Sequence, residues 1–252
     1  MLSPHAFYSI SAVVLAGTAY SIVYNTYLDT SDPLIGHLPH PLSGTHSWAN
    51  SRSPLNLYLV KQAWSWTSMA HFLAWSTGPR TSRSVANLTR YVTATLWWIF
   101  LTVWFFGPPI FERIVLATGG QCVLTPPLAP PMLLPLRYCL DRSLFSLDMH
   151  LMPSPVSNAH RQRTNPRLRG GHDASGHVFL LTMSILLLVQ QILPIFALSR
   201  WSKLQWATVV FNAALIVVWL FASGVTSIYF HCPLEKLTGY CEVTCYLSIP
   251  IS

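Results

Sequence analysis

This sequence has little charge. Only 9% of its 252 residues are Asp, Glu, Lys or Arg, far below the usage of a water-soluble domain, so a solvent-exposed globule is excluded as the main architecture. Cysteine is also scarce. The five positions, Cys122, Cys139, Cys232, Cys241 and Cys245, form neither a CxxC pair nor an evenly spaced framework, which excludes a disulfide-rich scaffold. No internal repeat is visible, and no Lys or Arg precedes the first apolar tract, which weakens its reading as a cleaved signal peptide in favour of a first span.

What the chain has instead is long apolar tracts, with 52% of its residues hydrophobic. A helix needs about 20 apolar residues to cross roughly 30 Å of hydrocarbon. Charge-free runs reach that length at Met1 to Leu28, Tyr91 to Phe111, Val178 to Ser199 and Leu204 to Phe230. A shorter run, Gln62 to Pro79, carries Trp64, Trp66 and Trp75, residues suited to the headgroup level. The expectation is an all-α polytopic membrane bundle in a single domain, residues 1–252, with spans near 6–28, 60–79, 91–109, 178–199 and 205–230. A sixth, at 237–252, is left open because it is short and contains Glu242.

The net charge of +7 is loop bias rather than a nucleic-acid footprint. Arg80, Arg83 and Arg90 fill one short connection, and Arg200 and Lys203 another. The positive-inside rule puts both in the cytosol, together with the N-terminus. The 28–61 loop, with Asp29 and Asp32, and the long 112–177 stretch then lie on the far side. In that stretch LTPPLAPPMLLP is too proline-rich for a helix, and SLFSLDMHLM is amphipathic, suited equally to the membrane interface and to a packed loop helix. If this side is oxidising, Cys122 and Cys139 can pair; two ordinary buried thiols fit the sequence equally well.

This topology brings two histidines to one membrane face. The fourth tract enters just after His177, and the fifth leaves at Phe230, immediately before His231. Ser175-Gly176-His177 stands at a helix N-terminus, where free N–H groups and the dipole favour an anion. Gly170, Gly171 and Gly176 would allow close backbone approach, and Ser175 would either cap the helix or donate to a phosphate oxygen. Across from it, Glu235 follows His231 by four residues and would accept the Nδ1 proton, leaving Nε2 to attack phosphorus; Pro233 between them would bend or begin a helix.

A Ser-Gly-His block with a distant second histidine resembles the lipid phosphate phosphatase superfamily, in which the second histidine becomes phosphorylated, the first protonates the leaving group and no metal is needed. The match is partial: that superfamily's Ser-Arg pair is replaced by Gly224 and Val225, and only Arg161, Arg163, Arg167 and Arg169 offer substitutes for its upstream basic element. GGHDASGHVFLLT, YFHCPLEKLTG, LNLYLVKQAWSWT and IFERIVLATGGQC together are more closely similar to the fat storage-inducing transmembrane (FIT) family, in its fungal branch. The resemblance implies an endoplasmic reticulum protein, with both histidines luminal, that hydrolyses fatty acyl-CoA to acyl 4′-phosphopantetheine and adenosine 3′,5′-bisphosphate. It also implies a role in lipid droplet formation, phospholipid synthesis and ER homeostasis, and binding of diacylglycerol and triacylglycerol. On this reading His177, His231 and Glu235 are catalytic, Ser175, Gly176, His172, Asp173 and Arg169 bind substrate, and no cofactor or metal is required. The family's usual six spans exceed the five that this chain clearly supplies.

Three alternatives stand beside it. A zinc hydrolase would use His172, Asp173, His177 and His231. A non-catalytic neutral-lipid scaffold would need none of these side chains, and a phosphatidate phosphatase would share the chemistry. His5, His37, His40, His46, His71, His150 and His160 read as ordinary interfacial residues, Lys61 as a snorkelling cation, and Glu112 and Arg113 as loop charges. The sequon Asn87-Leu88-Thr89 falls in a cytosolic loop and should carry no glycan.

Overall fold

The computed structural model describes residues 4–29, 33–34, 39–103, 108–126, 130–148 and 165–247. Asp32, His37, His150, His160, Arg161, Arg163, residues 104–107 at the end of the third tract, 149–152 of the amphipathic segment and 248–252 of the tail lie outside them. The described residues form two compact units, one of 1–27, 40–99 and 175–252, the other of 28–39 and 100–174.

The first unit is a helical bundle. Its elements are α1 (Pro4–Val23), α2 (Ala63–Thr77) and α3 (Val85–Thr102), followed after the second unit by α7 (Gly176–Phe196), α8 (Lys203–Tyr229) and α9 (Pro233–Leu247). Of these, α1, α7 and α8 are each long and apolar enough to cross a membrane. The second tract is a 15-residue α-helix whose path is lengthened by a π turn, Leu55–Leu59, and a 3-10 turn, Val60–Gln62. The third is an 18-residue helix that ends at Thr102, earlier than its apolar run implied.

Local rules set the helix ends. Ser202 accepts the Gln205 N–H while the Gln205 side chain accepts the Ser202 N–H, a reciprocal cap that starts α8. α7 and α8 run antiparallel against each other, α2 packs on both, and α1 lies along α8. Between lipid-soluble helices the hydrophobic effect gives little net attraction, so close packing and polar contacts select the arrangement. A Cβ on Gly17 would stand 2.7 Å from the Ser227 Cβ, so glycine is what permits α1 to reach α8. Gln205 donates to the Thr77 carbonyl at 3.0 Å and Asn212 to the Ala70 carbonyl at 3.3 Å, tying α8 to α2. Each such bond contributes about 0.6 to 2 kcal/mol in hydrocarbon. α1 is thus packed into the bundle.

The second unit contains structure that apolar periodicity did not show. Glu112 and Arg113 belong to an eight-residue helix, α4 (Ile110–Ala117), rather than to a loop. A three-stranded antiparallel sheet follows, ordered β2 (Met132–Leu134), β1 (Gln121–Leu124), β3 (Arg167–Arg169). Two short helices, α5 (Arg137–Leu140) and α6 (Arg142–Asp148), cover it. Cys122 and Cys139 are disulfide-bonded, which decides between the two readings of that pair. The bond sits in an apolar cluster with Leu124, Tyr138 and Phe145, where few other groups could order so small a core.

Candidate active site

Two helix ends build the site. α7 begins at Gly176, capped by Ser175, whose hydroxyl accepts the Val178 N–H at 3.4 Å. Ser175 is fully buried, so of its two predicted roles the structure shows the cap. His177 therefore projects from the first turn. At the other end α8 stops at Tyr229, and His231 takes a left-handed backbone, φ 60°. A non-glycine residue held there costs on the order of 1–3 kcal/mol and needs surrounding structure to keep it.

That surrounding structure is the start of α9. Pro233 opens the helix rather than bending it, a position where its missing N–H is harmless. Glu235 then falls at the third helical residue and reaches back, its Oε2 accepting the Cys232 N–H at 2.9 Å. The same oxygen lies 3.4 Å from His231 Nδ1. This is an electrostatic contact; it lacks the geometry of a hydrogen bond. The expected histidine–carboxylate pair is present, but His231 stands outside the helix that carries its partner.

The two motifs also meet through backbone. The Ser175 N–H donates to the Glu235 carbonyl at 2.9 Å. A Cβ on Gly239 would collide with the Ser175 carbonyl oxygen, so the second turn of α9 can touch the cap of α7 only as glycine. One helix turn thus fixes both histidine-bearing ends.

His177 and His231 line a single cavity of about 120 Å³, with Trp48, Ser51, Ser53, Asn56, Thr226 and Phe230 among its walls. Sequence reasoning passed over Trp48, Ser51 and Ser53 because nothing in a Pro- and Ser-rich loop distinguishes a wall from a linker. The π turn at Leu55–Leu59 places Asn56 there, its Nδ2 donating to the Ser51 carbonyl at 2.6 Å. Lys61, read as a snorkelling residue, lies within electrostatic reach of His177. Val225, at a place where the phosphatase superfamily brings arginine, contributes an apolar wall.

The remaining predicted residues belong to the second unit. Arg169 and Asp173 line a separate cavity of about 380 Å³ with Arg167, Glu112 and Phe111. Alternate residues of a strand share a face, so Arg167 and Arg169 project together. Burial and the Arg167 charge lower the Arg169 pKa, and Asp173 opposes them. The His172 N–H donates to Thr118 Oγ1 at 2.6 Å. Gly170 and Gly171, expected to admit an anion, form a left-handed turn, φ 73° and 67°; a Cβ on Gly171 would strike the Val115 carbonyl. Among the described residues no three His, Cys, Asp or Glu side chains gather as metal ligands.

Fold and site together define a predominantly helical membrane protein in which two histidines, one in the first turn of α7 and one just past the end of its antiparallel neighbour α8, share one cavity beside a buried carboxylate. The chain belongs to the FIT family, the fat storage-inducing transmembrane proteins, whose sequence profile matches residues 45–208. It is 31% identical over 231 residues to acyl-coenzyme A diphosphatase fit1 of Schizosaccharomyces pombe, covering 91% of this chain and 76% of that one. It is 26% identical over 204 residues to acyl-coenzyme A diphosphatase FITM2 of Xenopus tropicalis, covering 76% of this chain and 66% of the relative. The protein of that name from Danio rerio is 28% identical over 199 residues, covering 76% and 68%. No solved structure matches the chain.

Proposed function

We propose that this protein is an acyl-coenzyme A diphosphatase of the endoplasmic reticulum membrane, with its histidine site in the lumen. The observation that carries this reading is the shared cavity of His177 and His231, in a chain similar over nine-tenths of its length to a protein of that name. The Cys122–Cys139 disulfide supports a luminal 112–177 stretch, since such bonds persist in oxidising compartments.

His231 Nε2 attacks one phosphorus of the pyrophosphate. A P–N bond forms, the bridging P–O bond breaks, and His177 gives its proton to the departing phosphate oxygen. Neutral His177 then takes a proton from water, which attacks the phosphohistidine and frees His231. The products are acyl 4′-phosphopantetheine and adenosine 3′,5′-bisphosphate. Glu235 orients the imidazole of His231 and stabilises its cationic form, while Ser175 and Gly176 hold His177 in place. Lys61 offsets phosphate charge at the His177 cavity; Arg169, His172 and Asp173 are assigned to substrate recognition. No metal enters this scheme, and the cellular role proposed with it is support of lipid droplet formation, phospholipid synthesis and ER homeostasis, with diacylglycerol and triacylglycerol as membrane partners.

The test is turnover of oleoyl-CoA by purified protein in detergent with excess EDTA. Equimolar formation of the two products is expected. Loss of turnover with EDTA, restored by zinc, would replace the scheme with the metal hydrolase; dephosphorylation of phosphatidate in its place would change the substrate.

A further inference from the structure

Lys236 is fully buried, although a lysine side chain is seldom placed so. Its Nζ donates to Ser21 Oγ at 2.8 Å and to the Ser227 carbonyl at 2.7 Å, and stands 5.6 Å from the centre of the Tyr27 ring. These partners are neutral and come from α1, from the end of α8 and from the segment after α1. Burying an ammonium on neutral oxygens is costly, and replacing it with an apolar side chain would pack the same space without that penalty. What the charged group supplies is direction: its two hydrogen bonds fix three chain segments at one point.

That point is next to the strained turn. Ser227 precedes His231 by four residues, and Lys236 follows Glu235, whose carboxylate holds the Cys232 N–H and faces His231 Nδ1. The 3.4 Å contact to His231 lacks hydrogen-bond geometry, so where the imidazole faces Glu235 also depends on how the His231 backbone is held. We propose that Lys236 is a positioning residue for His231: its buried ammonium locks the end of α8 and the start of α9 to α1, and so keeps the left-handed His231 turn aimed into the cavity. Lys236 is not among the residues that line the cavity. The benefit to catalysis rests on the diphosphatase reading; the effect on His231 itself does not.

The experiment compares wild type with Lys236→Met, which keeps the length and loses the charge, and with Ser21→Ala, which removes one hydrogen bond. Each is measured for thermal midpoint in detergent, for kcat and KM with oleoyl-CoA, and for the rate of His231 acylation by diethyl pyrocarbonate, followed by peptide mass spectrometry. In folded Lys236→Met, kcat should fall at least about tenfold with KM within about twofold, the pattern of misplaced chemistry rather than lost binding. The His231 acylation rate should change by roughly threefold or more, and Ser21→Ala should shift both in the same direction by less. Wild-type kcat and acylation rate in folded Lys236→Met would overturn the proposal. If Lys236→Met does not fold, Ser21→Ala decides by the same readouts. If wild type itself leaves oleoyl-CoA intact, the diphosphatase reading fails, and the acylation rates alone still decide the role of Lys236.

Discussion

His231 combines a strained backbone with the nucleophile's task proposed for it, and Glu235 faces both. As the third residue of α9, Glu235 satisfies the Cys232 N–H; as a buried carboxylate it faces the imidazole. The two roles separate by substitution. Glu235→Gln keeps an acceptor for the N–H and loses the charge, so the fold should hold while kcat on oleoyl-CoA falls by roughly 10- to 100-fold. Glu235→Ala also removes the reach-back bond and should cost about 1 kcal/mol more in stability, read from the thermal midpoint. The histidine pair and this carboxylate were legible from spacing and topology alone. The left-handed turn at His231 was not, because nothing in YFHCPLEK, which has no glycine, signals a positive φ there.

His40 shows the same limit for a residue read as merely interfacial. It is buried, accepts the Leu42 N–H at Nδ1, and pairs through Nε2 with the Thr26 carbonyl at 2.9 Å. These contacts require the neutral ring with its proton on Nε2. Burial lowers the His40 pKa below its ordinary value of 6.5. The unfolded chain then binds a proton below about pH 6.5 that the folded chain does not, so His40's contribution is full above that pH and declines as pH falls towards the folded pKa. The thermal midpoint should therefore drop between pH 7 and pH 5, and His40→Gln should flatten that part of the profile; an unchanged slope would remove His40 as its source.

At the scale of elements, α9 is the brace of the site. Its first turn carries Glu235 and Lys236, and its second brings Gly239 against the cap of α7. Gly239→Ala drives a methyl into the Ser175 carbonyl and should destabilise by about 1–3 kcal/mol, with activity lost alongside, as measured by the thermal midpoint and by turnover. The apolar tracts announced α1, α7 and α8 because length and absence of charge are strong signals in a membrane chain. The sequence pattern was weaker for α9: the 237–252 run is short and carries Glu242, and Glu235 and Lys236, which tie its first turn to the histidine-bearing ends, fall before that run. The small sheet was invisible for another reason: its strands are three or four residues long, and their cohesion comes from the Cys122–Cys139 bond and the cluster around it.

For the whole molecule, the bundle and the second unit are stabilised by different means. The bundle relies on close helix approach and on polar bonds within an apolar medium. In the second unit the disulfide closes a span of 17 residues, an effect of about 3 kcal/mol on the unfolded chain. Cys139→Ser should make that unit sensitive to limited proteolysis while α7 and α8 resist it. The Asn87 sequon is barred by structure as well as by expected topology, for its Nδ2 donates to the Ser82 carbonyl and the side chain is buried.

On the mechanism proposed above, His177 and His231 act as one hydrolytic site. The most direct measurement is single-turnover hydrolysis of oleoyl-CoA by wild type, His177→Ala, His231→Ala and the double variant, each purified and folded. Residues acting as a unit lose activity together, so each single variant should fall by at least about 1,000-fold and the double variant little further. Turnover by the folded double variant at the wild-type rate would mean that the two histidines do not form the hydrolytic site.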